Sequence, residues 1–163
     1  MIILLHPRST KPKNRRFPLA VLSLAAVLEG KEDYAIVDGN FDPNPGSTLE
    51  RIMQGSGATL LAVSVMPGPQ MKAAIPLCRE FRRKYPSVPI VWGGYFPSLY
   101  TDAALNAGYV DFVVRGQGEE TLLDLIQTLH TTRNFSAVPG LSYKDDFGLH
   151  VHNPERPLRS PND

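Results

Sequence analysis

Five short apolar runs recur along the chain, each bounded by turn-forming residues. They span residues 2–6, 34–38, 60–65, 88–92 and 110–114. Runs this short are typical of buried strands, and each interval between them is long enough for a helix. Regular alternation of strand and helix favours a parallel sheet with helices on both faces.

Helical candidates occupy the intervals. They span residues 18–29, 48–54, 70–85, 98–106 and 119–130. Pro18 suits the first turn of the first helix, and Gly30 ends it. Four residues of this helix are expected to face the sheet: Leu19, Leu22, Ala26 and Leu28. Pro76 lies inside the third candidate, so we expect it to kink that helix or delay its start.

The pattern changes after residue 130. Residues 141–143 and 149–152 flank an Asp-Asp-Phe-Gly turn, which predicts a β-hairpin. We therefore predict an α/β fold: a three-layer, doubly wound, Rossmann-like domain with a five-stranded parallel sheet in the flavodoxin-like order 2-1-3-4-5 and a C-terminal β-hairpin. The predicted divisions are a domain over 1–135, the hairpin extension over 136–152 and a proline-rich linker over 153–163.

Composition narrows the class of protein. The chain has 163 residues, a net charge of +1 and 42% hydrophobic residues, which suits one domain with no nucleic-acid partner. The apolar start at residues 1–5 is too short for a signal segment, and no run has membrane-spanning length, so we expect no membrane partner and a cytoplasmic protein. Cys78 is the one cysteine, which excludes an internal disulfide or a cysteine-held cluster, and we expect it in the core.

Two glycine clusters directly follow the fourth and fifth predicted strands. Gly93-Gly94 precedes Tyr95-Phe96, and Gly116-Gln117-Gly118 precedes Glu119. Glycine leaves backbone uncovered, and ligands of open parallel sheets bind beyond the carboxyl ends of the strands. Each cluster alone also suits a tight strand-to-helix turn. Their presence on neighbouring strands favours a broad ligand resting on backbone.

Several common ligand sites are excluded by what the strand ends lack. A dinucleotide site needs a glycine-rich turn after the first strand, and the loop over residues 7–16 contains no glycine. A phosphorylated receiver site needs acidic residues after the first and third strands, where this chain has His6 and Ser64. Ser64 lies outside any Gly-x-Ser-x-Gly turn, and no histidine is placed to activate it. We therefore predict no catalytic residue and no metal ligand.

A large cofactor with an extended tail remains as the candidate ligand. We predict ten cofactor-binding residues: Ser64, Val65, Met66, Gly93, Gly94, Tyr95, Phe96, Gly116, Gly118 and Glu119. Ser64 would donate a hydrogen bond to the tail, and the glycines would let the tail pass close to backbone. Glu119 begins the last helix, where its charge disfavours a bare phosphate, so we expect a mostly neutral tail.

Five segments together resemble one known family. They are residues 18–25, Val63-Ser64, Val91-Trp92-Gly93-Gly94, residues 115–121 and residues 138–143. In this order and spacing they resemble the amino-terminal cobalamin-binding domain of cobalamin-dependent radical S-adenosylmethionine (SAM) proteins, such as the anaerobic magnesium-protoporphyrin ester cyclases and related methyltransferases. The resemblance covers most of the chain.

The resemblance implies that cobalamin (vitamin B12) lies over the carboxyl edge of the sheet. Its dimethylbenzimidazole tail would enter a groove beside Ser64 and Gly93-Gly94. Cobalt would face a radical SAM domain, in cis or in trans, that holds a 4Fe-4S cluster and S-adenosylmethionine for methyl transfer or radical chemistry. This chain lacks the cysteine motif for that cluster, so the resemblance implies that it is not catalytic alone and that residues 153–163 lead toward such a domain.

One feature departs from many cobalamin folds, which carry Asp-x-His-x-x-Gly after the first strand. Here Leu4 and Ser9 stand where the Asp and Gly would be around His6. A ligating imidazole without its acid partner lacks the group that fixes its tautomer. We therefore expect base-off cobalamin, in which the tail base is not on cobalt, without a protein histidine in its place.

Two other functions are compatible with the same residues. The chain could be a docking domain of a radical SAM protein that has kept the fold without the cofactor. It could also be a small-molecule enzyme or nucleotide binder that uses the basic loop over residues 11–16, although such a loop is usually a solvated connection.

Overall fold

Seven strands form one sheet in the computed structural model, which describes residues 1–158. The strands are β1 (Ile2–His6), β2 (Tyr34–Asp38), β3 (Leu60–Ser64), β4 (Ile90–Gly93), β5 (Phe112–Val114), β6 (Leu141–Lys144) and β7 (His150–His152). Their order is β2-β1-β3-β4-β5-β6-β7. The first five pair in parallel, and β6 and β7 pair antiparallel beside β5. The predicted fold class and the order 2-1-3-4-5 are confirmed, and the hairpin extends the sheet.

Six helices connect and cover the strands in the part of the chain that the structure describes. They are α1 (Leu19–Leu28), α2 (Pro45–Ser56), α3 (Pro69–Lys84), α4 (Tyr95–Leu99), α5 (Thr101–Leu105) and α6 (Glu119–His130). Helices α1 and α6 pack on one face of the sheet, and α2, α3 and α5 pack on the other. Short 3-10 turns lie at Pro12–Asn14 and Phe135–Ala137. Within residues 1–158, no helix is both long enough and apolar enough to cross a bilayer.

The first helix packs with a different face than the sequence indicated. Val21, Ala25 and Leu28 are the buried residues of α1. The prediction was right for Leu28 and wrong for Leu19, Leu22 and Ala26, which are exposed. Almost every residue of this helix is apolar, so the pattern does not identify which side meets the sheet.

Pro76 does not delay the start of the third helix. Helix α3 begins at Pro69 and continues through Pro76 to Lys84, so that part of the prediction was wrong. Pro69 fits the first helical position, where the missing N–H has no intrahelical partner. Pro76 lies on the exposed side of α3, where water can reach the Lys72 carbonyl that a proline leaves unpaired.

The segment after the hairpin lies against the domain. Asn153 is buried, and the Arg156 side chain reaches Thr121 and Glu120 on α6. Residues 159–163 of the predicted linker lie outside the described residues. The division into domain, extension and linker stays a prediction.

Candidate functional site

A groove of about 190 Å³ opens at the carboxyl ends of β3, β4 and β5, between the sheet and helices α1 and α6. Its helical walls are Ala20, Leu24 and Leu122. Its floor is Ala62, Val63, Ser64, Val91, Gly93 and Val114, and its mouth is Gly94, Gly116, Gln117, Gly118 and Glu119. Apart from Ser64, Gln117 and Glu119, the lining is apolar side chains and glycine.

The floor is built from alternate positions of neighbouring strands. Side chains in a strand point to opposite faces in turn, so Leu60, Ala62 and Ser64 of β3 share one face. Val91 and Gly93 of β4 lie beside them, because Ala62 pairs with Val91 and Ser64 with Gly93. On both strands the side chains at the carboxyl end of this face are small: Ala62 and Ser64 on β3, and Gly93 on β4. The groove therefore arises from the sequence of the strands themselves.

Gly93 and Gly94 contribute to the site for different reasons. Gly94 has a φ of 98°, and a Cβ there would lie 3.1 Å from the Val65 carbonyl oxygen, so the turn itself requires glycine. At Gly93 a Cβ would lie 3.7 Å from Val114 Cβ, which is ordinary contact, and φ is not in the left-handed region. The backbone therefore tolerates a side chain at Gly93, and the absence of one keeps the groove open.

The Ser98 hydroxyl joins the two glycine clusters. It donates a hydrogen bond to the Gly94 carbonyl at 2.8 Å and accepts one from the Gly116 N–H at 3.0 Å. Both loops at the mouth of the groove are thereby held at a fixed separation. Sequence reasoning missed Ser98, because a hydroxyl that bonds 18 residues away leaves no local pattern.

Six of the ten predicted cofactor-binding residues lie together. Ser64, Gly93, Gly94, Gly116, Gly118 and Glu119 all line the groove. The buried Ser64 hydroxyl makes no hydrogen bond within residues 1–158, so its donor is available to a ligand. Glu119 is the first residue of α6, where its negative charge faces the helix N-terminus.

The other four predicted residues do not line the groove. Val65 is fully buried with the core of the opposite face, and Phe96 packs there against Trp92 with ring centroids 6.5 Å apart. Side-chain alternation turns Val65, directly after β3, away from the groove, and helix α4 places Phe96 on that same opposite face. Met66 and Tyr95 are exposed in the segments after β3 and β4, beside its mouth rather than inside it.

Sequence reasoning also missed the helical walls. Ala20 and Leu24 of α1 lie one turn apart and line the groove, and Leu122 of α6 faces them. The spacing of four between Ala20 and Leu24 is a usable signal, since such residues share one helix face. The wrong orientation predicted for α1 concealed it.

His6 at the end of β1 is held by the buried Gln70. The Gln70 side-chain oxygen accepts a hydrogen bond from the Met66 N–H at 2.8 Å, so its amide nitrogen donates to His6 Nδ1 at 3.2 Å. His6 Nε2 lies 3.4 Å from the Ser9 hydroxyl. Burial lowers the pKa of His6 below its ordinary value, although the charge of Asp38 opposes this. These contacts favour a neutral ring that links the segments following β1 and β3 at the carboxyl end of the sheet.

His150 and His152 have polar partners within the protein, and Cys78 is buried. His150 Nδ1 lies 2.7 Å from Asp102 Oδ1, and His152 Nδ1 lies 3.0 Å from the Ser142 hydroxyl. Within residues 1–158, no group of three or more His, Cys, Asp or Glu side chains has a geometry that could hold a metal ion. Cys78 is in the core as predicted, and burial raises the pKa of its thiol to about 12.

Known proteins resemble this chain in sequence and in fold. The chain is 30% identical over 146 residues to the anaerobic magnesium-protoporphyrin IX monomethyl ester cyclase of Synechocystis sp., covering 86% of this chain and 29% of the cyclase. It superposes with a TM-score of 0.81 and 22% identity on the radical SAM methyltransferase TsrM of Kitasatospora setae with cobalamin and a 4Fe-4S cluster bound, covering 98% of this chain and 29% of TsrM.

A second solved structure gives the same fold. The cobalamin-dependent SAM radical enzyme OxsB with aqua-cobalamin and SAM bound superposes with a TM-score of 0.82 and 22% identity, covering 96% of this chain and 22% of OxsB. The chain thus spans less than a third of the length of these relatives.

Family membership follows from the sequence profile. The profile of the family described as "B12 binding domain" matches residues 7–126, which is more than half of the chain and includes every residue that lines the groove. This match confirms the predicted family and the choice of cobalamin as its cofactor. The chain belongs to the B12-binding domain family.

Proposed function

We propose that this chain binds cobalamin in the base-off form at the carboxyl end of its sheet and presents cobalt to a radical SAM domain. The observation that carries the proposal is the groove, whose mouth and floor are cleared of side chains at Gly93, Gly116 and Gly118. When bound, cobalamin supplies a cobalt centre that can carry a methyl group or take part in radical chemistry.

The residues of the groove fit the tail of this cofactor. Dimethylbenzimidazole is flat and largely apolar, and the helical wall and the floor that would enclose it are aliphatic apart from Ser64. The free donor of the Ser64 hydroxyl suits a polar atom of the tail. Glu119 disfavours a phosphate at the N-terminus of α6, so the base rather than the phosphate of the tail would lie nearest this helix.

The contacts of His6 support cobalamin without a protein histidine on cobalt. Its Nδ1 accepts from Gln70, and its Nε2 is directed to Ser9. Leu4 occupies the position where an acid would orient a ligating imidazole. His6 would leave its two partners if it moved onto a metal, so we assign it to holding the loops.

A radical SAM domain is the partner that this proposal requires. The chain spans less than a third of the length of its relatives, so the remainder of such proteins has room for that domain. Exposed Met66, Tyr95 and Tyr100 lie in the segments after β3 and β4, and they give this end of the domain an apolar surface. The 4Fe-4S cluster and S-adenosylmethionine would belong to the partner.

Retention of hydroxocobalamin by the purified chain tests the central claim. We expect a visible cobalamin spectrum at a one-to-one ratio after desalting, and a colourless protein would contradict the proposal. After reduction to cobalt(II), electron paramagnetic resonance should show no nitrogen splitting of the cobalt lines. Splitting that disappears in His6→Ala would instead identify His6 as a ligand and overturn the claim about the lower face.

The same apolar surface favours one alternative, a docking domain without the cofactor. Exposed Tyr95 and Tyr100 would suit contact with another protein as well as with a corrin ring. Calorimetry separates the two functions. The docking function predicts no heat with hydroxocobalamin and measurable heat with a separately produced radical SAM domain.

A further inference from the structure

The segment that follows the hairpin is anchored to the domain by its first residue. Asn153 is 6% exposed, and its N–H donates to the Leu141 carbonyl at 3.0 Å. Its side-chain amide donates to the carbonyls of Phe135 at 2.7 Å and Val138 at 2.8 Å. A buried amide with this many acceptors holds the backbone at one place.

The next contacts reach the start of the glycine loop over residues 115–118. The Pro154 carbonyl accepts from the Gly140 N–H at 2.8 Å, and the Gly140 carbonyl accepts from the Arg115 N–H at 2.9 Å. The Arg115 guanidinium in turn donates to the Asn153 carbonyl. Arg115 directly precedes Gly116, so this end of the loop is tied to residues 153–154.

Arg156 reaches the other end of the same loop. Its Nε donates to the buried Thr121 hydroxyl at 2.9 Å, and its remaining nitrogens bind the carboxylates of Glu120 at 3.1 Å and Asp124. The Thr121 hydroxyl donates onward to the Pro139 carbonyl at 2.9 Å. These partners lie in the first turns of α6, whose residues Glu119 and Leu122 line the groove.

We infer that Asn153, Pro154 and Arg156 are positioning residues for the groove. They hold the loop 115–118 at both ends, so the direction in which the chain leaves the domain is coupled to the shape of the groove wall. This coupling can be measured in the chain without a ligand. The effect on cofactor affinity rests on the proposed function, and coupling requires that a bound ligand also steady residues 153–156.

Hydrogen exchange of the apo chain tests the coupling without any ligand. In Arg156→Ala we expect amides of residues 115–122 to exchange roughly fivefold faster or more, while those of α3 keep their rates. A purely global loss of stability would accelerate the slowest amides of both regions alike. The control is Arg83→Ala, which removes an exposed ion pair with Glu80 on α3 and should leave residues 115–122 unchanged.

A second variant keeps the test decisive if Arg156→Ala folds poorly. Arg156→Lys retains the charge but cannot bind Thr121, Glu120 and Asp124 together, so we expect an intermediate acceleration. Unchanged exchange over residues 115–122 in both variants would overturn the inference. Uniform acceleration throughout the chain would overturn it equally.

Titration with hydroxocobalamin then tests the effect on the ligand. We expect Arg156→Ala to weaken binding roughly fivefold or more, and we expect bound ligand to slow exchange over residues 153–158 in the unmodified chain. Unchanged affinity in Arg156→Ala would overturn this part. If the unmodified chain does not bind hydroxocobalamin, the proposed function fails, and the apo exchange result alone decides the coupling.

Discussion

The two faces of the sheet end differently at its carboxyl end. On the face covered by α2, α3 and α5, the large ring of Trp92 fills the end of β4 and donates to the Cys78 sulfur at 3.3 Å. Phe96 and Tyr109 pack against that ring with centroids 6.5 and 5.7 Å away. On the face covered by α1 and α6, the next residue of the same strand is Gly93, and the groove begins there.

This difference shows how one strand can close one face and open the other. Trp92 and Gly93 are neighbours in sequence, so a side chain at position 92 points to one face of the sheet and a side chain at position 93 would point to the other. The hydrophobic core extends to the end of the sheet where the side chains are large. A groove forms where paired positions on adjacent strands carry small side chains or none. Stability and binding should therefore respond separately to substitutions one residue apart.

The largest expected effect is on the closed face. Trp92→Ala removes a side chain that is 2% exposed and should lower the free energy of unfolding by about 3 to 5 kcal/mol. Urea denaturation measures it, with Gly93→Ala as the control, for which we expect a change within about 1 kcal/mol. Equal losses in the two variants would remove the distinction between the faces.

On the open face, Gly93→Leu should block the ligand rather than unfold the protein. A leucine side chain there would occupy the groove, and hydroxocobalamin affinity should fall by roughly a hundredfold, or about 2.7 kcal/mol. Isothermal titration gives the affinity. Gly55→Leu is the control, because Gly55 lies on the exposed side of α2 and a Cβ there meets nothing within 4 Å. Normal affinity in Gly93→Leu would mean that the ligand lies elsewhere.

A smaller effect is expected at the link between the two glycine loops. Ser98→Ala removes the hydrogen bonds to Gly94 and Gly116 and should cost about 1 kcal/mol of unfolding free energy. Affinity for hydroxocobalamin should fall a few-fold, because the mouth of the groove is less firmly held. Ser98→Thr keeps the hydroxyl and should restore both quantities; failure to do so would assign the loss to packing.

The smallest effect concerns pH. The folded-state pKa of His6 lies below its ordinary value of 6.5, so its contribution to stability is complete above that pH and is lost as the pH falls below 6.5. His6→Gln should lose less stability than the unmodified chain between pH 7 and pH 5 in urea titrations. His130→Gln, at a half-exposed helix end, serves as the control. A pH dependence unchanged in His6→Gln would contradict the lowered pKa.

The sequence predicted the sheet well because its strands are continuous apolar runs. β1, β2 and α6 begin and end at the predicted residues, and the hairpin is confirmed. Turn residues mark the ends of elements, as Gly30 does just after α1, although α1 ends at Leu28 and not at residue 29 as predicted. The single short helix predicted at 98–106 is two helices, α4 and α5, which meet at Tyr100. Short helices carry too few residues to show a period.

The sequence identified the glycines that line the candidate groove but not its helical walls. Gly93 is the last residue of β4, and Gly116 lies two residues after β5, positions that local sequence reveals. Ala20 and Leu24 could be identified only with the correct orientation of α1, and an almost wholly apolar helix does not encode one. Arg156 lies 35 residues from its partner Thr121, a separation at which periodicity gives no information.

The hairpin determines which truncated fragments of the protein expose the edge of β5. Residues 141–144 cover the backbone of β5 by antiparallel pairing of Phe112 with Tyr143 and Val114 with Leu141. A fragment ended at residue 135 would leave the N–H and C=O groups of an apolar strand unpaired, and such strands pair with copies of themselves. In a series of truncated proteins we therefore expect the fragment ended at residue 135 to self-associate. A fragment ended after Arg156 should not.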